Sequence, residues 1–142
     1  MQSKSHILEN RAGALANYPH AREVDGLIFV SGVSSRRPDN SHVGVTIHED
    51  GRVEKDIREQ TRAVIENIGA ILGSAGAALN DLVDLTVFLV DMQDYAGMNE
   101  VYNEYFNAEN GPARTTVAVH QLPHPNLLIE IKGVARRSGG EG

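Results

Sequence analysis

Residues 57–90, IREQTRAVIENIGAILGSAGAALNDLVDLTVFLV, contain the change in hydrophobic period that decides the fold. In the first half, one stripe of residues recurs at spacings of three and four, which predicts an amphipathic helix. The stripe consists of Ile57, Thr61, Val64, Ile65, Ile68, Ile71 and Leu72. The helix should end within residues 73–76, because glycine readily adopts the left-handed backbone of a helix terminus. In residues 83–90 apolar side chains alternate with others, which predicts a strand with one apolar face.

The sequence after residue 90 predicts a second helix and two further strands. Asp94 is a favourable N-cap residue, and an apolar helical stripe follows it up to Phe106. Gly111-Pro112 should end this helix, since proline cannot continue the hydrogen-bonding pattern. Extended runs at residues 115–121 and 127–135 then predict strands.

The sequence before residue 57 predicts strands and a polar loop. A short strand at residues 21–24 precedes an Asp25-Gly26 turn, and the apolar run 27–30 predicts a buried central strand. Residues 34–40 have the composition of a loop, residues 43–53 form a surface excursion, and the N-terminal segment is interpreted as an arm. The element order predicts an α+β fold with two helices on one face of a mixed sheet. We expect one domain over residues 1–142, with short flexible ends at about residues 1–5 and 137–142.

Composition excludes several classes of function. The chain has 142 residues and a formal net charge of -6, which would repel a phosphate backbone, so we expect no nucleic-acid partner. It has no cysteine, which excludes disulfides, thiolate zinc sites, iron–sulfur clusters and a cysteine nucleophile. Neither a signal peptide nor the ~20 apolar residues of a membrane span can be identified, so we expect no membrane association and a cytoplasmic location.

Arg114 and Glu130 are the strongest candidates for chemistry. Arg114 follows Gly-Pro-Ala at a strand start, where its guanidinium suits either a carboxylate clamp or an ordinary surface ion pair. Glu130 lies between two isoleucines, so its side chain should point away from theirs. If the last two strands form a hairpin with its tip near Pro123, Glu130 lies opposite Thr116 and diagonal to Arg114. The pair then forms either a pocket for hydrolysing a C=N bond or a cross-strand ion pair that sets the register.

The remaining polar candidates are less specific. His120 and His124 are four residues apart, but the adjacent prolines prevent the helix that would place both on one metal, so no metal site is expected. Arg36 and Arg37 form either a local anion site or a solvated loop. Tyr18 could line a pocket or fill an apolar gap.

Four phrases in the chain resemble one known family. They are residues 27–32 (LIFVSG), 86–94 (TVFLVDMQD), 111–115 (GPART) and 129–131 (IEI). In this order they are similar to the YjgF-like or Rid (reactive-intermediate deaminase) proteins, and the resemblance covers nearly the whole chain. It implies a chorismate-mutase-like α+β protomer that assembles as a homotrimer with clefts between subunits. Whether trimers pair into hexamers is left open.

The resemblance also implies roles for individual residues. Arg114 would hold a substrate carboxylate, and Glu130 would position the attacking water. Tyr18, Ser31 and Asn99 would lie around the cleft. Thr116 stands where many members have cysteine, so any role of a thiol is absent here.

Residues 34–40 (SSRRPDN) and 115–125 (TTVAVHQLPHP) are similar to the branch of this family that deaminates 2-aminomuconate in aromatic catabolism. That reaction hydrolyses an enamine or imine to 4-oxalocrotonate and ammonia without a cofactor or metal. Its dicarboxylate substrate needs a second cationic anchor, which Arg36 or Arg37 could supply. His120 or His124 would meet the same distal end, and backbone donors of Thr115 and Thr116 would help to hold the first carboxylate.

Two alternatives stay open at this point. A broad-range 2-iminoacid deaminase would need only Arg114 and Glu130. A non-catalytic trimeric protein that binds small acids, or acts like a chaperone, would need no reacting group at all.

Overall fold

The computed structural model describes residues 2–137, and all statements about structure refer to these residues. They form eight strands and two α-helices. In chain order these are β1 (Ser3–His6), β2 (Ala21–Val24), β3 (Leu27–Val33), β4 (Val45–Ile47), β5 (Val53–Lys55), α1 (Ile57–Ser74), β6 (Leu82–Leu89), α2 (Tyr95–Tyr105), β7 (Ala113–Ala118) and β8 (Ile129–Arg136). None of the helices is long and apolar enough to cross a membrane.

Six strands form one mixed sheet in the order β1-β2-β3-β8-β6-β7. Only β6 and β7 are parallel, and α2 makes the crossover between them. The two helices pack against each other and cover one face of the sheet, where α1 contacts β3 and β8. The core between helices and sheet contains Ile65 and Met98 from the helices and Leu85, Ile129 and Ile131 from the strands. The predicted mixed sheet with two helices on one face is therefore confirmed.

Helix α1 begins at Ile57 and ends within residues 73–76, as its sequence predicts, and its first turn has a cap that the sequence analysis did not name. The Asp56 side chain accepts hydrogen bonds from the backbone N–H groups of Arg58 and Glu59, at 2.9 and 3.1 Å. At the other end, Gly76 adopts a φ of 81°, the left-handed conformation that favours glycine. The whole predicted stripe from Ile57 to Leu72 is buried.

The expected hairpin of the last two strands is wrong. Strand β6 lies between β7 and β8, parallel to the first and antiparallel to the second. The physical reason is the apolar face of β6: Leu85, Val87 and Leu89 are almost fully buried, as suits a strand with a neighbour on either side. A hairpin of β7 and β8 would leave this strand at the sheet edge.

The expected flexible ends also need correction. Residues 3–6 form β1 and pair with β2, so most of the segment 1–5 belongs to the sheet. Arg137 forms an ion pair with Glu23 at 2.7 Å and donates its backbone N–H to Gly26. Met1 and residues 138–142 lie outside the described residues. The expected surface excursion at 43–53 contains a two-stranded hairpin, β4 with β5.

The face of the sheet opposite the helices is uncovered in the described protomer. Strand pairing places Phe29 beside Val134, and Phe88 between Glu130 and Val117, on this face. Phe29 is 44% exposed and Val117 is 38% exposed. Large apolar side chains on an open sheet face are a feature of surfaces that bind another protein.

Candidate active site

Arg114 lies on the edge strand β7 with its side chain toward α2. It pairs with Leu85, whose side chain faces the helices, so the guanidinium points to the same side. Its Cζ lies 4.6 Å from the ring centroid of Tyr102 and 5.7 Å from that of Tyr95, and Nη2 donates to the Tyr95 hydroxyl at 3.3 Å. No carboxylate pairs with it among residues 2–137. The aromatic rings therefore hold the cation in place without neutralising it.

An open cavity of about 420 Å³ lies in front of this guanidinium. Met92, Tyr95, Arg114 and Thr116 line it. The Oγ1 atom of Thr116 is buried and has no hydrogen-bond partner in the described part of the chain. Asn99 lies one helical turn after Tyr95 and is half-buried on the same side of α2. We call the four residues that line the cavity, Met92, Tyr95, Arg114 and Thr116, the arginine half-site.

Thr115 does not belong to this half-site by its side chain. It pairs with Thr86 and points to the uncovered face, because successive side chains of a strand alternate between faces. Only its backbone is adjacent to Arg114 and Thr116. The sequence prediction of backbone donors at this position stays a prediction.

Glu130 lies on β8 with its side chain on the uncovered face. Its neighbours Ile129 and Ile131 are fully buried in the core, and Glu130 pairs with Phe88. The carboxylate makes no hydrogen bond or ion pair to any described residue, and burial raises its pKa above the ordinary value of 4.5. It lies directly over Gly32, where a Cβ atom would collide with Oε2 and come within 3.1 Å of Cδ.

A cavity of about 70 Å³ begins at Gly32. Tyr18, Ser31 and Arg36 line it, together with Arg11 from the N-terminal arm. Ser31 Oγ donates to the carbonyl of Pro19 at 2.8 Å, which ties the arm to β3. We call Tyr18, Ser31, Gly32, Arg36 and Glu130 the glutamate half-site.

The ring of His20 holds the arm over this half-site. Its Nδ1 accepts the backbone N–H of Leu8 at 3.1 Å, and its Nε2 lies 2.9 Å from the Ala12 carbonyl. Because Nδ1 accepts, Nε2 carries the proton and donates it to that carbonyl. The neutral ring therefore fixes the segment that contains Arg11 and Tyr18.

Arg36 and Arg37, which the sequence could not separate, occupy different places. Arg36 lines the cavity of the glutamate half-site and donates to Asn40 Oδ1 and the Gly13 carbonyl, both neutral oxygens. Arg37 is exposed and donates to Ser41 Oγ at 3.0 Å. It lines a second cavity, which is bounded by the first turns of α1 around Glu59 and Arg62. Of the two, only Arg36 shares the cavity of Tyr18 and Ser31.

The expected diagonal contact between Arg114 and Glu130 is wrong within one protomer. Arg114 pairs with Leu85, whereas Glu130 pairs with Phe88, three residues along the same strand. An odd separation on a strand puts side chains on opposite faces. The Arg114 side chain therefore faces the helices, and the Glu130 side chain faces the uncovered side.

His120 lies outside both half-sites of this protomer. It lines a separate cavity in the connection from β7 to β8, together with His124 and Pro123. The His124 ring lies 4.4 Å from the ring of His42. No group of three His, Cys, Asp or Glu in the described residues is placed to hold a metal ion.

Sequence reasoning missed four contributors to these cavities and half-sites, of which Met92 lies in the arginine half-site. Arg11 lies in an arm without periodicity, and no signal in the sequence places it beside Arg36. Tyr95 belongs to the apolar stripe of α2, yet it is 42% exposed and contacts Arg114. Gly32 could have been suspected, since a glycine within a strand often marks the close approach of another group.

Fold and half-sites together define an α+β protein that presents an arginine and a half-buried glutamate, neither of which has an ion-pair partner within residues 2–137. Residues 8–137 match the family described as Endoribonuclease L-PSP. A RutC family protein of Pyrococcus abyssi is 47% identical over 118 residues, which cover 83% of this chain and 84% of that protein. TdcF of Escherichia coli K12, named for reactive intermediate deamination, is 31% identical over 128 residues, 89% of this chain and 91% of TdcF.

Solved structures have the same fold. The crystal structure of the yeast protein YEO7 has a TM-score of 0.82 and 34% identity, covering 95% of this chain and 98% of that chain. The crystal structure of E. coli TdcF with bound serine has a TM-score of 0.77 and 30% identity, and the match covers 95% of this chain and 99% of the TdcF chain. The chain belongs to the Endoribonuclease L-PSP family, which is the YjgF/Rid family that its motifs resemble.

Proposed function

We propose that this protein is a deaminase that hydrolyses the enamine or imine of 2-aminomuconate to 4-oxalocrotonate and ammonia. The observation that carries the proposal is Glu130, a half-buried carboxylate without a partner among the described residues. It lies beside Gly32, which lines a cavity that presents the cations Arg11 and Arg36. The name of the relative TdcF and the serine bound in its crystal structure support chemistry on small amino or imino acids.

The reacting site is formed between two copies of the chain in a homotrimer of chorismate-mutase-like protomers. Two features support this arrangement. Arg114 and Glu130 lie on opposite faces of one protomer, and the cavity at Gly32 encloses only about 70 Å³, well below the ~300–1,000 Å³ of typical ligand pockets. The exposed Phe29 and Val117 on the uncovered face suit contact with a second copy.

The proposed reaction needs only these side chains and water. Arg114 of one copy binds the carboxylate next to the imine carbon, which makes that carbon more electrophilic. Glu130 of the neighbouring copy accepts a proton from water as the water oxygen bonds to the carbon, and passes this proton to the imine nitrogen, which gives a carbinolamine. Glu130 then takes the proton of the new hydroxyl group and delivers it to the nitrogen, so that the C–N bond breaks and ammonia leaves as the carbonyl forms. No cofactor takes part in this scheme.

Arg36 supplies the anchor for the distal carboxylate of the substrate. Its hydrogen bonds go to the neutral oxygens of Asn40 and Gly13, so its charge is available to a ligand. Arg11, which donates to Asn67 Oδ1 at 3.1 Å, lies in the same wall. A dianionic substrate would thus meet a cation at each end.

A mixed-subunit experiment tests the shared site. Arg114→Gln and Glu130→Gln are each expected to lose at least ~100-fold in kcat, since each removes a group of the reacting site. Co-expressed with different tags and purified through both, the two variants should form mixed trimers in which one of the three seams carries both native residues, with about a third of the native activity. Mixed trimers as inactive as their parents would reject a site shared between copies.

The substrate test compares 2-aminomuconate with 2-iminobutyrate. Arg36→Gln should raise KM for the dicarboxylate by roughly 10-fold or more and leave the monocarboxylate nearly unchanged, because only the dicarboxylate reaches that cation. Arg52→Gln, at an exposed position on the β4–β5 hairpin, is the charge-matched control. Equal or faster turnover of 2-iminobutyrate would favour the broad-range deaminase. The serine bound in the TdcF crystal structure is an observation that favours this alternative. Binding of 2-aminomuconate without faster ammonia release would favour a non-catalytic binding protein.

A further inference from the structure

We propose that a second cavity, beside helix α1, is a binding site for a phosphate group, adjacent to the proposed deaminase site and sharing Arg11 and Arg36 with it. The cavity has a volume of about 420 Å³ and lies between the loop that follows β3 and the outer side of α1. Three segments contribute hydrogen-bond donors to its lining: the N-terminal arm, the loop and α1. Those donors belong to Arg11, Ser35, Arg36, Arg37 and Arg62. We call it the α1 cavity.

Two buried donors in the α1 cavity have no partner in the described residues. Ser35 is 0% exposed, and its Oγ makes no hydrogen bond. The Nε of Arg11 is likewise buried without a partner, although Nη1 of the same guanidinium donates to Asn67. Buried polar groups normally have partners, because an unsatisfied group costs about 1–3 kcal/mol. A ligand with acceptor oxygens would satisfy both donors.

The charge of the lining favours an anion. Four arginines and two glutamates, Glu59 and Glu66, line the α1 cavity of a chain whose net charge is -6. Arg62 is partly neutralised by Glu104 at 2.8 Å, and hydrogen bonds from Ser41, together with the nearby Arg37 cation, lower the pKa of Asp39. Arg11 and Arg36 donate to neutral oxygens, so their charges are unpaired.

The directions of the donors favour phosphate over a carboxylate. A carboxylate offers two oxygens in one plane, whereas a phosphate presents three or four oxygens in different directions. Donors from three chain segments reach the cavity from different directions, which matches the oxygen arrangement of a phosphate. Both free phosphate and a small phosphate ester carry this group.

Arg11 and Arg36 also line the glutamate half-site, so the test uses other residues of the α1 cavity. Calorimetric titration of the full-length protein with inorganic phosphate should show saturable binding. Ser35→Ala should weaken it about 10-fold, since a hydroxyl bond to an anion is lost. The melting temperature of this variant should not fall, because the removed hydroxyl has no partner in the described structure. Arg37→Gln, at an exposed position, should also weaken binding by about 10-fold.

Arg52→Gln is the control, since it removes the same charge from an exposed site on the β4–β5 hairpin and should bind phosphate normally. Tighter binding of glycerol 3-phosphate than of inorganic phosphate would also support the site and identify an ester as its ligand. The proposal is overturned if the native protein shows no saturable binding. It is equally overturned if Ser35→Ala binds as the native protein does, or if Arg52→Gln weakens binding as much as Arg37→Gln.

Discussion

Glu130 shows how one residue can be costly for the fold and useful for a reaction. Its burial raises the pKa of the carboxyl group, because the charged form loses water without gaining a described partner. A group whose folded-state pKa is raised binds its proton more tightly in the folded than in the unfolded state. The ionised form therefore lowers the free energy of unfolding at neutral pH, and this cost disappears at acid pH, where the group is protonated in both states.

We accordingly expect Glu130→Gln to raise the melting temperature at pH 7 while it removes activity. The difference in melting temperature between the two proteins should shrink as the pH is lowered from 7 through the raised pKa of Glu130 toward the ordinary glutamate pKa of 4.5. Thermal unfolding of both proteins as a function of pH measures the difference. A lower melting temperature of the variant at pH 7 would mean that a cation neutralises Glu130 in the assembled protein.

Gly32 allows the carboxylate of Glu130 to lie close to the backbone of β3. A methyl group at this position would collide with Oε2, so Gly32→Ala should displace the carboxylate and reduce kcat by at least 10-fold. Gly73→Ala is the control, because the corresponding methyl group meets no atom within 4 Å. Steady-state kinetics of the two variants give the comparison, and equal kcat values would show that the position of the carboxylate is not critical.

At the scale of elements, helix α1 holds the connection between β7 and β8 through a single buried side chain. Gln60 Nε2 donates to the Asn126 carbonyl at 3.0 Å, and its Oε1 accepts the backbone N–H of Leu128 at 2.9 Å. Gln60 is 0% exposed, so water does not replace these bonds. This amide fixes the chain just before it enters β8, the strand that carries Glu130.

Gln60→Leu should therefore lower the free energy of unfolding by about 2–4 kcal/mol, since two buried backbone groups lose their partners. Gln121→Leu serves as the control, because Gln121 is exposed in the same connection and should change stability by less than about 0.5 kcal/mol. Urea denaturation gives both values. Similar stabilities of the two variants would show that this connection is held by other contacts.

The molecule as a whole has one covered and one open sheet face, and this asymmetry determines where a complete site can form. The helices bury the side that carries Arg114, while the open side carries Glu130 between apolar side chains. In the proposed trimer, docking of the open face by a neighbour would bury the apolar residues and bring the two half-sites together in the same step.

Phe29→Asp should prevent this docking, because it places a charge in the centre of an apolar contact. Light scattering after size exclusion should then give one chain of 15.4 kDa in place of a trimer, and deaminase activity should be lost with assembly. Ile47→Asp is the matched control, since Ile47 is 69% exposed on the separate two-stranded hairpin. A Phe29→Asp protein that stays trimeric would show that the open face is not the contact surface.

The sequence by itself determined the two helices, most of the strands and the family. A period of 3.6 or 2 is set by the local backbone, so the stripe from Ile57 to Leu72 and the alternation in β6 can be read without knowing their partners. The same holds for the left-handed glycine at residue 76, which depends on a few neighbouring residues.

Only the tertiary structure decided which strands pair, and with them the faces of Arg114 and Glu130. Pairing joins residues far apart in sequence, and a local pattern contains no record of which neighbour gives the better burial. Insertion of β6 between β7 and β8 turned an expected contact into two half-sites on opposite faces. The same long-range packing brought Arg11 of the arm beside Arg36, since the position of an aperiodic segment depends on the surface on which it rests.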